Sequence, residues 1–295
     1  MKNKYVNRIG GMGMWTQQLI ETNRGTFEVF TKGEGQPICI THHYSEFNVN
    51  GNLFANPFTD HYQVLLVNLR GAENSAPSES EHDLSMEETV KDLEAIREAL
   101  GYEGWAYAGH SAGGMLGLVY ALDFPESLTK IFVCGSAASK NYMKHPESIY
   151  CKENPNNPRL RKILQTLNNP DSTLEERRTA GRDWYAMSLY RPEKMDEYTT
   201  KPNSGKSIPK RLDYFAYKEV LTFDLTERLP NISIPAFVVS GRYDAQCPHD
   251  CSAEIAERIP NARMITFEES NHNPFVEEPE KFTDTVKEFY LHHRR

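Results

Sequence analysis

The chain has 295 residues, 39% of them apolar and 25% charged, with a formal net charge of -8. This excludes a disordered chain and leaves room for one large α/β domain, or a core with an insertion. The acidic balance without a dense Lys/Arg run excludes a nucleic-acid footprint, and no apolar stretch approaches the roughly 20 residues that cross a bilayer.

From the N-terminus, residues 1–15 carry lysines with no apolar segment behind them, so no signal peptide is read. Gly10-Gly11-Met12-Gly13-Met14 follows no strand and lacks Gly-x-Gly-x-x-Gly spacing, which makes it a flexible lead rather than a nucleotide loop. Strands are expected at 17–21, 26–31, 37–41, 63–69, 105–108, 130–134, 236–240 and 264–267. Several carry continuous apolar runs (ICI, VLLV, IFVC, AFVV), the mark of strands covered on both faces. Helices are expected at 85–100, 115–122, 252–258 and 280–292; Ser85 and Glu88 form a capping-box pattern, and Gly101 is a stop. Such alternation predicts a mostly parallel, eight-stranded, doubly wound sheet. Residues 140–229 break the rhythm, with helical patterns at 159–167 and 174–189. They read as a helical lid inserted into a core of 1–139 and 230–295, with surface helices extending the core as the alternative. Cys39, Cys134, Cys151, Cys247 and Cys251 are odd in number and scattered, as in reduced thiols of a cytoplasmic protein. Cys247 and Cys251 lack a second ligand pair, so no metal is expected.

The strand at 105–108 runs into Gly109-His110-Ser111-Ala112-Gly113 and then a small-residue helix. A serine at a sharp strand-to-helix turn holds its Oγ above the sheet, with glycines where backbone segments approach. The helix N-terminus offers free N–H groups to an oxyanion. The alternative is a packing turn whose serine caps the helix. A hydroxyl nucleophile needs a base, and the base an orienting acid. Of ten histidines, His272 follows the strand at 264–267 and precedes the last helix, on the same sheet edge as Ser111. His61, His82, His145 and His249 have no supporting pattern, and His292 and His293 lie in a charged tail. Asp244 lies just beyond the strand at 236–240; Asp224 and Asp250 follow no strand so directly. The loop after 37–41 supplies the backbone N–H of Tyr44 as oxyanion partner to that of Ala112. His42, His43, His110, Trp184, Tyr185 and Tyr214 are candidate pocket residues, and the lid also offers Met187, Tyr190, Phe215 and Tyr217. Glu175, Glu176 and Asp183 are lid carboxylates that could meet a substrate amine.

These pieces, with "NLRGAENS" at 68–75, "SGRYDAQCP" at 240–248 and "NHNPFVEEPEKF" at 271–282, resemble the α/β-hydrolase superfamily over most of the chain, nearest its proline iminopeptidase-like and carboxylesterase-like members. The resemblance implies a lid after the sixth core strand, no metal and no organic cofactor. It departs from proline iminopeptidases in three places. Their His-Gly-Gly-Pro-Gly loop is His42-His43-Tyr44-Ser45-Glu46, the tryptophan after the elbow serine is Ala112, and the glycine before the histidine is Asn271. Asparagine also tolerates a left-handed backbone. The expected chemistry is acyl transfer from a small ester, amide or short peptide to water. An aminopeptidase, a lactone or C–C bond hydrolase and a non-catalytic ligand receptor stand as alternatives, and a homodimer is left open.

Overall fold

A computed structural model describes residues 14–292. The leader at 1–13, with all but Met14 of the glycine-rich stretch, and His293 lie outside the described residues.

All eight expected strands form, each end within two residues of expectation. In chain order they are β1 (Thr16–Thr22), β2 (Gly25–Lys32), β3 (Gln36–Ile40), β5 (Tyr62–Val67), β6 (Trp105–His110), β7 (Leu128–Cys134), β9 (Ala236–Gly241) and β10 (Ala262–Phe267); β4 (Ser45–Glu46) and β8 (Lys206–Ser207) form a separate ribbon. The large sheet runs β1-β2-β5-β3-β6-β7-β9-β10. β2 is antiparallel to both neighbours and the remaining pairs are parallel. Each continuous apolar run is split between two layers. Ile131 and Val133 face α1 (Met86–Ala99) and α2 (Ala112–Asp123), while Phe132 and Cys134 face the opposite layer of Phe282, Val286 and Phe289. Burial of each such large side chain is worth roughly 1.5–3 kcal/mol, so both faces must be covered.

Ser85 caps α1, accepting the Glu88 N–H at 3.2 Å. The reciprocal half of the expected capping box is absent, because the Glu88 carboxylate pairs with Arg24 and Lys91 instead.

Between β7 and β9 the described residues hold no strand of the large sheet. They form α3 (Asn157–Asn168), α4 (Leu174–Met187), α5 (Met195–Tyr198) and α6 (Pro209–Tyr214), which continues as a π turn over Phe215–Glu219. α4 begins with a complete capping box, Thr173 with Glu176. Ile149, Leu160, Ile163, Ala180 and Met187 make a small core of their own. The two ends of the segment lie side by side, with Lys140 N–H on Phe223 O at 2.8 Å and Leu225 N–H on Ala138 O at 2.7 Å. Phe215, Val220, Phe223, Leu225 and Leu229 return to the main core. The chain closes with α7 (His249–Arg258), α8 (Pro274–Glu277) and α9 (Pro279–Leu291).

Candidate active site

β6 ends at His110 and α2 starts at Ala112, so the chain must reverse within Ser111. Ser111 has φ 56° and ψ -124°, the one non-glycine residue with positive φ among those described. Such a conformation costs on the order of 1–3 kcal/mol and persists only where the surroundings impose it. Here Ser111 N–H donates to Cys134 O at 2.8 Å, and Ser111 O accepts from Ser136 Oγ at 3.0 Å and Gly114 N–H at 2.9 Å. A Cβ on Gly109 would stand 2.1 Å from Gly113 O, and one on Gly113 would stand 2.5 Å from Thr41 O. Both glycines are therefore sterically required.

Asp244 follows β9 and His272 follows β10. His272 Nδ1 lies 3.0 and 2.9 Å from the two oxygens of Asp244, and both side chains are buried. Asp244 Oδ1 also accepts the Gln246 and Cys247 N–H groups at 2.9 Å each. With Nδ1 as donor to the carboxylate, Nε2 keeps its lone pair. The His272 loop is pinned at its backbone, where His110 Nε2–H donates to His272 O at 2.7 Å and His272 N–H donates to Ser188 O at 3.2 Å. Among the described residues Ser111 Oγ has no hydrogen bond.

Ala112 is the first residue of α2, where N–H groups lack intrahelical acceptors. The Tyr44 N–H makes only a long 3.4 Å contact to His42 Nδ1. Ser111, Ala112 and Tyr44 border one cavity of about 240 Å³, walled by Met115, Tyr142 and Trp184 among others. A second, of about 480 Å³, is bordered by His42, Phe54, His110, Tyr185, Asn273 and Phe275.

A family model described as alpha/beta hydrolase fold matches residues 39–279. The chain belongs to the α/β-hydrolase family. An α/β fold family hydrolase of known structure from Bacillus anthracis str. Sterne is 53% identical, with a TM-score of 0.92 over 94% of this chain and 99% of that one. A proline iminopeptidase of Lactobacillus delbrueckii subsp. bulgaricus is 26% identical over 239 residues, 78% of this chain and 80% of that protein. An esterase from Exiguobacterium antarcticum is 19% identical with a TM-score of 0.68, covering 93% and 99% of the two chains, a likeness of fold.

The hydrolase places four of the six expected pocket residues at cavities: His42, His110 and Tyr185 at the larger, Trp184 at the smaller. His43 and Tyr214 are at neither. The His43 ring turns into the protein, fully buried, with Nε2 2.8 Å from Glu219 Oε2. Tyr214 lies in the field of Glu219, Lys218 and Glu81. Of the other aromatics named beside them, Phe215 and Tyr217 border the smaller cavity, while Tyr190 stacks on Tyr243 at the surface. Glu175, Glu176 and Asp183 border a separate surface groove, where Asp183 pairs with Arg159; the carboxylate at the Ser111 cavity is Asp213. Asn271 is not left-handed; its Oδ1 accepts the Ala245 N–H at 2.8 Å, which its side chain rather than its backbone explains. Tyr142, Tyr150 and Met115 in the wall carry no sequence signal that separates them from core residues.

Burial depresses the His42 imidazole to about 3 and that of His110 well below its usual value, with repulsion from His272 adding to each. Both rings stay neutral beside the site. Glu277 shifts the other way: burial raises it to about 7, against three N–H donors, Tyr190 at 2.6 Å, Asn271 at 2.7 Å and Arg191 at 3.3 Å. That carboxylate ties the segment after α4 to the His272 loop. No helix among the described residues is long and apolar enough to cross a membrane.

Proposed function

We propose that this hydrolase cleaves small esters or amides through an acyl-enzyme on Ser111. Ser111 Oγ attacks the carbonyl carbon while His272 Nε2 takes the hydroxyl proton, and that proton passes to the departing alcohol or amine. Water, deprotonated by His272, then releases the acid. Asp244 holds the imidazole in the needed tautomer, and the N–H groups of Ala112 and Tyr44 receive the oxyanion. What carries this reading is the buried Asp244–His272 pair on the sheet edge where a strained serine opens a helix. The apolar acyl group is assigned to the smaller cavity, and the helices at 140–229 act as the lid over it. Fluorophosphonate labelling of Ser111 and turnover of p-nitrophenyl butyrate test this. Both should vanish in Ser111→Ala, and undiminished turnover in that variant sinks the reading.

A second reading is a proline iminopeptidase-like aminopeptidase. It is favoured by the relatives of that name and by the Asp213 carboxylate at the cavity, which could meet a substrate amine. Proline β-naphthylamide hydrolysed faster than p-nitrophenyl butyrate would decide for it.

A further inference from the structure

We infer that Arg211, with Glu219 acting through His43, is the positioning device of the oxyanion hole, an inference that rests on the serine-hydrolase reading above. The His43–Tyr44 peptide is planar and trans, so the His43 carbonyl and the Tyr44 N–H point in opposite directions from one rigid unit. Whatever grips the carbonyl aims the N–H. Arg211 Nε–H donates to His43 O at 2.5 Å. The same guanidinium is locked by Thr89 Oγ1 at 2.7 Å, by Arg70 O at 3.0 Å and by His43 Nδ1 at 3.2 Å. A guanidinium only donates, so Nδ1 accepts, and the ring proton sits on Nε2, facing Glu219 Oε2. Glu219 Oε1 takes the Met86 N–H at 2.6 Å. The residue before the oxyanion donor is thus held at its carbonyl and at its ring.

Arg211 and His43 are completely buried. A buried guanidinium is expensive to desolvate, and apolar packing serves stability as well or better. The need it meets here is direction. The gripping residues come from the segment between β7 and β9, whereas the loop they grip follows β3. The same segment holds the loop again through Ile208 N–H on Tyr44 O at 2.8 Å and through the β4–β8 ribbon.

The test compares ester kinetics of the wild type with Arg211→Met, Arg211→Lys and Glu219→Gln. It adds inhibition by an alkyl trifluoromethyl ketone, whose adduct carries the oxyanion. Losing one well-aimed donor costs about 10²–10³ in kcat. Arg211→Met is expected to lose about 30–100-fold in kcat with KM within twofold, and to bind the ketone more weakly by the same factor. Arg211→Lys, which cannot span four acceptors, should fall between. Glu219 accepts two N–H groups and a glutamine can accept only one of them without opposing donors. Glu219→Gln should therefore lose several-fold in kcat, and it decides the matter if the Arg211 variants do not fold. Val286→Ala, in the α9 layer, is the stability control: a lower Tm with unchanged kcat and ketone affinity. Wild-type kcat in folded variants, or a loss carried by KM alone, overturns the inference. A wild type inert to both ester and fluorophosphonate overturns the serine-hydrolase reading beneath it instead.

Discussion

The two sides of the candidate site are built by different means. On the core side, Ser111, Asp244 and His272 each sit within a few residues of the end of a parallel strand, and backbone geometry sets their places. On the side of residues 140–229, Trp184, Tyr142 and Phe215 reach the cavity from helices and loops whose phase depends on packing among themselves and with the core. Under the proposed function, chemistry set by the sheet edge and shape supplied by residues 140–229 can vary separately. Substitutions on the core side should change kcat by orders of magnitude, and those on the other side should change which substrate is preferred.

Asp244→Asn is the most severe test of the core side. Oδ1 already accepts two backbone N–H groups, so an asparagine must leave its oxygen there. Its NH2 then faces His272 Nδ1, which must accept, and the ring proton moves to Nε2. A base with no lone pair toward Ser111 cannot work. A fall in kcat of about 10⁴ is expected, with the fold retained by circular dichroism. A fall below tenfold would break the assignment of Asp244.

Glu277 joins the two sides, and its carboxyl is lifted to about 7 by burial. An acid whose folded value lies above its unfolded one binds more protons when folded. Stability therefore falls as pH rises from about 4.5 through 7. The full shift would correspond to about 3 kcal/mol, and residual solvent reduces this to about 2. The stability of the wild type minus that of Glu277→Gln, from urea melts at pH 5 and pH 8, should drop by that amount. A difference that is flat with pH removes Glu277 as the titrating clamp.

The same contrast governs what could be seen in the sequence. Strand ends were legible because buried parallel strands leave continuous apolar runs; Ser111 and Asp244 each follow one, while His272 follows the less buried edge strand β10. Residues 140–229 were legible only as helical. His42 and His43 look alike as a doublet, yet one ring borders a cavity and the other turns inward toward Arg211 and Glu219, which are 168 and 176 residues away. Tyr214 was expected at the pocket only as one of several aromatic residues of the segment, and its neighbours Glu219, Lys218 and Glu81, the last far away in sequence, are not set by that composition. Glu88 was lost to the expected capping box because Arg24, distant in sequence, competes for it. Each miss is a side-chain choice made by a partner that local pattern cannot supply.

On the insertion side, Trp184→Ala enlarges the cavity beside Ser111. Each added methylene buried in such a pocket is worth about 1 kcal/mol or more. The ratio of kcat/KM for p-nitrophenyl octanoate over butyrate should rise about tenfold, while kcat for the short ester stays within a few-fold. A collapse of turnover on all chain lengths together would mean that the two sides are not separable.

The smallest expected effect isolates the strain at Ser111. Ser111→Ala and Ser111→Gly both lose the hydroxyl, so neither should turn over ester. They differ in the Cβ. Alanine keeps the clash that φ 56° and ψ -124° impose, whereas glycine adopts positive φ freely. Relief of on the order of 1–3 kcal/mol is opposed by about 0.5–1 kcal/mol of extra chain entropy in the unfolded glycine variant. Ser111→Gly should therefore be the more stable of the two by about 1 kcal/mol, a higher midpoint in urea at unchanged slope. Equal midpoints would show that the elbow is relaxed, and that the serine is held there by its neighbours' hydrogen bonds at no conformational cost.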